Sequence, residues 1–350
     1  MVASLKTGWL VYGKEAEKAE RMLQRHLQTK SVILTSSCTA SLHMALVLAG
    51  VGEGDEVITT PLSWVSTSDV ILYQRANVVF ADVDPETGLL AIDEVKKKIT
   101  PKTKAIILVH IYGQMADMKA FDALAKERGI RIIEDAAHAL ESLRDGVRPG
   151  ELGHFACFSF HAAKNVTSGQ GGALSLDHSM EIRARALRRN GVLGRDENRR
   201  KYELGYKYDG TDFQAALISG QLSRVRSTHK KRLAIWSRYE KGFRGVAGIS
   251  FPRRLPNSRH AAHMFVIWVD PVRRDSIRAR LAKDGVESSV HWDPIHIEPF
   301  YKKILNHSES DFPVATRLGL STISLPTYSS LTKKEQEHVI RCVKKAVLGD

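Results

Sequence analysis

Long apolar runs are missing from this 350-residue sequence. No stretch approaches the roughly 20 apolar residues that a membrane-spanning helix needs. The opening Met1-Val2-Ala3-Ser4-Leu5-Lys6 holds no apolar signal core, so a cytoplasmic location is expected rather than export. Cysteine is scarce: Cys38, Cys157 and Cys342 stand too far apart for a disulfide framework or a metal-ligand pattern. Reduced thiols and no metal centre are the expectation. Internal repeats and low-complexity segments are lacking as well.

What is present fits a globular chain. Hydrophobic residues make up 43% and charged residues 26%, enough for one large domain and a smaller one. The formal charge is +13. Such an excess suits either nucleic acid or phosphorylated small ligands. No helix-turn-helix or zinc-finger pattern concentrates the charge, so it reads mainly as solvated surface, with a smaller share for an anionic substrate. Neither a nucleic-acid partner nor a membrane is expected.

Apolar runs alternate with amphipathic stretches through the first half. Strands are expected at Ser31–Leu34, Glu56–Thr59, Val78–Val83, Lys104–Val109 and Ile130–Glu134, then at Phe155–Ser159 and Ala173–Ser175. Helices are expected at Thr39–Ala49, Val65–Gln74, Ile92–Lys98 and Asp117–Arg128. That order predicts an α/β domain with a mostly parallel sheet. Apolar spacing at Phe213, Leu217, Leu222 and Val225 predicts one long helix from about Thr211 to Arg244. Beyond Phe251-Pro252 the pattern changes to a strand at His263–Val269, a helix at Asp275–Lys283, a strand at Val286–Val290 and a closing helix at Lys333–Val347. The expected division is a large α/β domain over 1–240 and a smaller C-terminal α+β domain over 241–350.

Four local features carry chemistry. Asp135 ends an apolar strand in Ile133-Glu134-Asp135-Ala136-Ala137-His138, at the sheet edge where ligands of α/β folds gather. Thr35-Ser36-Ser37-Cys38-Thr39-Ala40 joins a strand to a helix, and the N–H groups of Cys38 and Thr39 would face an anion there. Trp64 offers a planar face. Lys164 follows Ser159 in a segment rich in Ser, Thr, Asn and Gly that ends in Gly171-Gly172. Together they are what a pyridoxal phosphate (PLP) enzyme needs: an amine, a carboxylate for the ring nitrogen, a phosphate cradle and a ring-stacking group. Each residue alone has a plainer reading. Asp135 would cap a helix, Trp64 would fill a core, Ser159 would open a helix, His138 would be a structural histidine, and Lys164 is one of 52 basic residues.

The same residues resemble the DegT/StrS-type nucleotide-sugar aminotransferases of the fold-type-I PLP superfamily. The matching runs are Ser36–His43, Gly54–Ile58, Ala81–Asp84, His110–Gln114, Ile133–His138, Phe158–Asn165, Leu204–Tyr208, Thr211–Leu217 and Ser324–Tyr328. They cover nearly the whole chain in one order. The resemblance implies a large domain with a mostly parallel seven-stranded sheet and PLP as cofactor. It implies a homodimer with sites at the interface. The substrates would be glutamate and a nucleotide-linked keto sugar. By residue, it implies Lys164 as the Schiff-base lysine and Asp135 at the pyridine nitrogen. Trp64 would lie against the ring and His138 near the phenolic oxygen, while Thr39 and Ser159 would meet the phosphate. Lys207, where many members have asparagine, would reach the partner's phosphate. Arg195, His291 and His296 are candidate substrate contacts, each with a structural role as its alternative.

The turn Gly8-Trp9-Leu10 is followed by Val11-Tyr12 where the family has two threonines, which leaves the sugar open. Lys164 also separates the chain from same-fold sugar dehydratases, which carry histidine there. A keto-cyclitol acceptor is an alternative. So is a catalytically silent regulator or nucleic-acid binder, which the charge suggests.

Overall fold

The computed structural model describes residues 2–193 and 199–349. Its centre is a seven-stranded sheet of β1 (Ser31–Thr35), β2 (Glu56–Thr59), β3 (Asn77–Phe80), β4 (Thr103–Val109), β5 (Arg131–Asp135), β6 (Phe155–Ser159) and β7 (Gly172–Leu176). The strands lie in the order β1-β7-β6-β5-β4-β2-β3. Only β7 runs against its neighbours; β6, β5, β4, β2 and β3 pair in parallel. Strands β1 and β7 are buried throughout, and the last four residues of β5 are buried too. This is why they read as continuous apolar runs, as strands covered on both faces do.

Two apolar clusters fill the faces of this sheet. One joins Ile33, Val57, Ile107 and Ile133 to Leu42, Leu46 and Val70. The other joins Ile58, Ile106 and Ile132 to Phe121 and Leu124. Further along the chain, β8 (Phe265–Trp268) pairs antiparallel with β9 (Thr322–Leu325). A separate cluster gathers Trp236, Tyr239, Phe265, Ile277, Ile323 and Val343. No described helix is long and apolar enough to cross a membrane.

Two expectations need correction. The long helix is two helices, Asp212–Leu222 and Val225–Phe243, with the break at Ser223-Arg224. The Ser223 hydroxyl donates back to the Gly220 carbonyl at 2.9 Å, a bond that competes with helix continuation. The two pieces also serve different cores: Ala215, Ile218 and Leu222 pack with Leu23 and Phe158, whereas Trp236 and Tyr239 join the Phe265 cluster. The strand expected at Val286–Val290 is absent. A single bridge remains, in which Ser289 and Ser324 exchange backbone hydrogen bonds at 3.2 and 2.8 Å.

Candidate active site

Asp135 ends β5, Ser159 ends β6, and the helix Cys38–Leu48 begins three residues after β1. All three meet at one edge of the sheet around a cavity of about 640 Å³. Cys38, Thr39, Trp64, Asp135, His138, Ser159, Lys164 and His291 line it.

At the helix start, Ser37 Oγ accepts from the Ala40 N–H at 3.1 Å. The first two helical N–H groups, those of Cys38 and Thr39, have no acceptor among the described residues. They are free donors at the positive end of an 11-residue helix, which suits a phosphate. Strand β7 presses against this turn. A Cβ added to Gly172 would lie 2.3 Å from the Ser37 carbonyl carbon and 2.6 Å from the Cys38 nitrogen. Glycine is therefore required for β7 and the cradle to meet.

The carboxylate of Asp135 is buried and held from two sides. Thr67 Oγ1 donates to Oδ2 at 3.0 Å, and the Ala137 N–H donates to Oδ1 at 3.2 Å. Cys38 Sγ lies 3.9 Å from Oδ1. Because Thr67 spends its proton on Asp135, its 2.9 Å contact with Ser63 Oγ must be accepted from Ser63. Burial raises the Asp135 pKa, opposed by these donors and by Lys164. A cationic ring nitrogen would offset that burial.

Lys164 sits in a turn that opens after β6. Gln214 donates to the Gln170 carbonyl at 2.8 Å, and Gln221 donates to the Thr167 carbonyl, so the helix Asp212–Leu222 pins this turn. Lys164 Nζ has no hydrogen-bond or ion-pair partner among the described residues. Burial lowers its pKa, with Asp135 and Cys38 acting the other way. His138 is buried beside it. Its Nδ1 accepts from the Tyr112 N–H at 3.2 Å, which assigns the proton of the neutral ring to Nε2. Burial, and then the neighbouring Lys164, hold its pKa well below the usual histidine value, so the neutral form is the one present. Trp292 stacks on the ring at 5.2 Å with planes 9° apart, and His263 lies 4.5 Å away.

The remaining candidates fall elsewhere. His296 does not line the cavity; its expected substrate contact is corrected to a core position. The ring is fully buried against Phe312 at 5.0 Å, and Nε2 meets Thr316 Oγ1 at 3.1 Å. Lys207 is exposed and paired with Asp209 at 3.0 Å, outside this chain's cavity. Arg195 lies outside the described residues. Thr67, Arg232, His263 and Trp292 were missed by sequence reasoning. Only Thr67, one helical turn beyond Trp64, stood in a run that could have shown it.

A half-buried lysine without a partner among the described residues, a buried strand-end carboxylate and a helix N-terminus with free donors, gathered on a mostly parallel sheet, define a fold-type-I PLP enzyme. The chain belongs to the DegT/DnrJ/EryC1/StrS aminotransferase family, whose model it matches over residues 1–344. It is a PLP-dependent transaminase. It is 37% identical to the spore coat polysaccharide biosynthesis protein SpsC of Bacillus subtilis, over 99% of this chain and 93% of that one. The PLP-form of Spr1654 from Streptococcus pneumoniae superposes with a TM-score of 0.94 at 29% identity, covering 99% of this chain and 95% of that one. The sugar aminotransferase CalS13 from Micromonospora echinospora gives 0.91 at 26%, covering 98% and 95%.

Proposed function

We propose that this enzyme moves the amino group of glutamate to the keto group of a nucleotide-linked sugar. The observation that carries the reading is the convergence of Lys164, Asp135 and the Cys38–Thr39 donors on one cavity. Similarity to SpsC and CalS13, one a polysaccharide biosynthesis protein and the other a sugar aminotransferase, supports a sugar acceptor.

PLP, when bound, supplies an electron sink that makes the α-proton of an amino acid removable. Lys164 would hold it through Nζ and Asp135 would face its ring nitrogen. The N–H groups of Cys38 and Thr39, with the Ser159 hydroxyl, would take the phosphate. Trp64 would cover one ring face, and His138 Nε2–H would donate to the phenolic oxygen. Once freed, Lys164 Nζ serves as base and then acid for the proton at the donor's α-carbon. Its burial favours the neutral amine that this role requires. The Thr67 and Ala137 donors favour the ionised form of Asp135 against the effect of burial. The site is proposed to be completed in a homodimer, with Lys207 reaching the partner's phosphate.

A panel of nucleotide-linked keto sugars, assayed for glutamate-dependent 2-oxoglutarate release, tests the reading. At least one sugar should turn over, and Lys164→Ala should lose more than about 10³-fold in rate. Wild-type rates in that variant, or amination of keto-cyclitols alone, would overturn the assignment.

A further inference from the structure

Three arginines from separate segments gather without an acid to answer them, and none of them lines the reaction cavity. Arg148 belongs to the loop before β6. Its Nε donates to Gln28 Oε1 at 3.0 Å, just past the end of the helix Lys14–Leu27. Arg259 lies on the two-residue strand Ser258–Arg259, opposite Leu143. Its Nε donates to the Glu141 carbonyl at 2.7 Å. Arg226 is exposed in the first turn of the helix Val225–Phe243, which carries no acid there. Leu27, Leu140 and Val225 pack in one apolar cluster, which draws these segments together. His26 stands among the three cations. Burial lowers its pKa, a bond to the Leu140 backbone opposes that, and the charges of Arg148, Arg259 and Arg226 add to the lowering. Burial lowers the Arg259 pKa too, with Arg148 and Arg226 acting the same way and Glu141 the other.

The terminal nitrogens of Arg148 and Arg259 have no partner among the described residues, and Arg226 forms neither a hydrogen bond nor an ion pair there. The acids at hand are engaged elsewhere. Glu151 accepts from the Arg148 backbone N–H at 2.7 Å, and the buried Glu141 carboxylate accepts from Asn165 at 3.2 Å. The carboxyl end of the helix Lys14–Leu27 favours cations, but it accounts for Arg25 and His26 in its own last turn, not for three arginines brought from other segments. Like charges held together repel unless an anion joins them. Guanidinium groups take phosphate oxygens through parallel N–H donors, and a multiply charged phosphate offsets several cations at once, which a single carboxylate does not.

We propose that Arg148, Arg226 and Arg259 form a diphosphate-binding site outside the reaction cavity, open to free pyrophosphate or to the diphosphate of a nucleotide. The site gives part of the +13 charge a ligand and stands apart from the transamination reading.

Pyrophosphate and UDP are the probes, each titrated by calorimetry into the PLP-loaded enzyme at fixed ionic strength. Wild type is compared with Arg148→Gln, Arg226→Gln and the double variant; Arg259 is left in place because it also holds the Glu141 carbonyl. Pyrophosphate affinity should fall about 10- to 100-fold in the double variant, and Arg148→Lys, which keeps the charge and loses the fork, should lose less. PLP content should stay at the wild-type level. A UDP site lost in parallel identifies the nucleotide as the source, and UDP binding left unchanged identifies the free anion; either supports the site. If Arg148→Gln does not fold, Arg226→Gln decides through the same contrast. Wild-type protein that binds no pyrophosphate, or variants that bind it unchanged, would overturn the site. So would a loss that tracks loss of PLP, or a loss confined to single-stranded RNA.

Discussion

At the scale of single residues, the state of Asp135 decides whether this cavity can do its chemistry. A buried carboxylate tends to take up a proton, and its pKa is indeed raised by burial. Thr67 opposes that by donating at 3.0 Å, and Ser63 donates to Thr67 in turn, so the two hydroxyls are aligned toward the charge. Thr67→Val keeps the shape and deletes the donor. A hydrogen bond to a charged group is worth about 1.5–3 kcal/mol, so kcat/KM should drop about 10- to 100-fold. The sign in pH follows: with one donor fewer the carboxylate is less favoured, its pKa rises further, and the acid limb of the rate profile moves to higher pH. A valine variant with an unshifted acid limb and wild-type rate would show that Thr67 only fills space.

Between elements, Glu141 ties the turn after β5 to the Lys164 turn. It accepts from Asn165 Nδ2 at 3.2 Å, and Asn165 also donates to the Ala261 carbonyl at 2.9 Å. Burial pushes the Glu141 carboxyl from 4.5 up to about 7, against the pull of Asn165, Arg232 and Arg259. Between those values the folded chain binds the proton and the unfolded chain does not. The stabilising contribution is therefore complete below pH 4.5 and is lost as pH rises through about 7. Melts from pH 5 to 8 should show wild-type Tm sagging toward the upper end, and Glu141→Gln should flatten that trend. Equal slopes in the two proteins would refute it. Glu141 also illustrates which features the sequence announces. Asp135, Cys38, Thr39 and Ser159 stand at strand ends and a helix start, and alternating apolar runs mark those boundaries locally. Lys164 is placed by its Gly-rich turn. Thr67 meets Asp135 across 68 positions, and Arg232 reaches the His263 carbonyl across 31, so neither contact has a local signal. The break at Ser223-Arg224 was hidden because each helix keeps its apolar spacing while turning to a different core. His296 was a candidate through the resemblance of its stretch, with a structural role as the alternative, and Phe312 and Thr316 enclose it.

For the whole molecule, the proposed homodimer makes a prediction that subunit mixing can test. Trp64, Tyr73 and Leu204 are 56%, 58% and 77% exposed. The ring of His43 bridges part of this area, lying 5.6 Å from Tyr73 and 4.7 Å from Tyr206. Large exposed apolar side chains are a common feature of interfaces. Lys207 follows Tyr206 directly and is held outward by Asp209 at 3.0 Å, away from the cavity of its own chain. In a symmetric dimer, a residue that serves the neighbouring site is exchanged both ways. Lys164→Ala should be inactive, and Lys207→Ala should bind PLP more weakly and turn over poorly. When the two variants are mixed and allowed to exchange subunits, each mixed dimer has one site with both lysines intact and one with neither. Activity should therefore rise toward about a quarter of wild type, the statistical share of intact sites. If Lys207 acted on its own chain's cofactor, every mixed dimer would lack a complete site and mixing would restore nothing. Light scattering on the same samples supplies the remaining check, since a monomeric protein would rule out exchange of any kind.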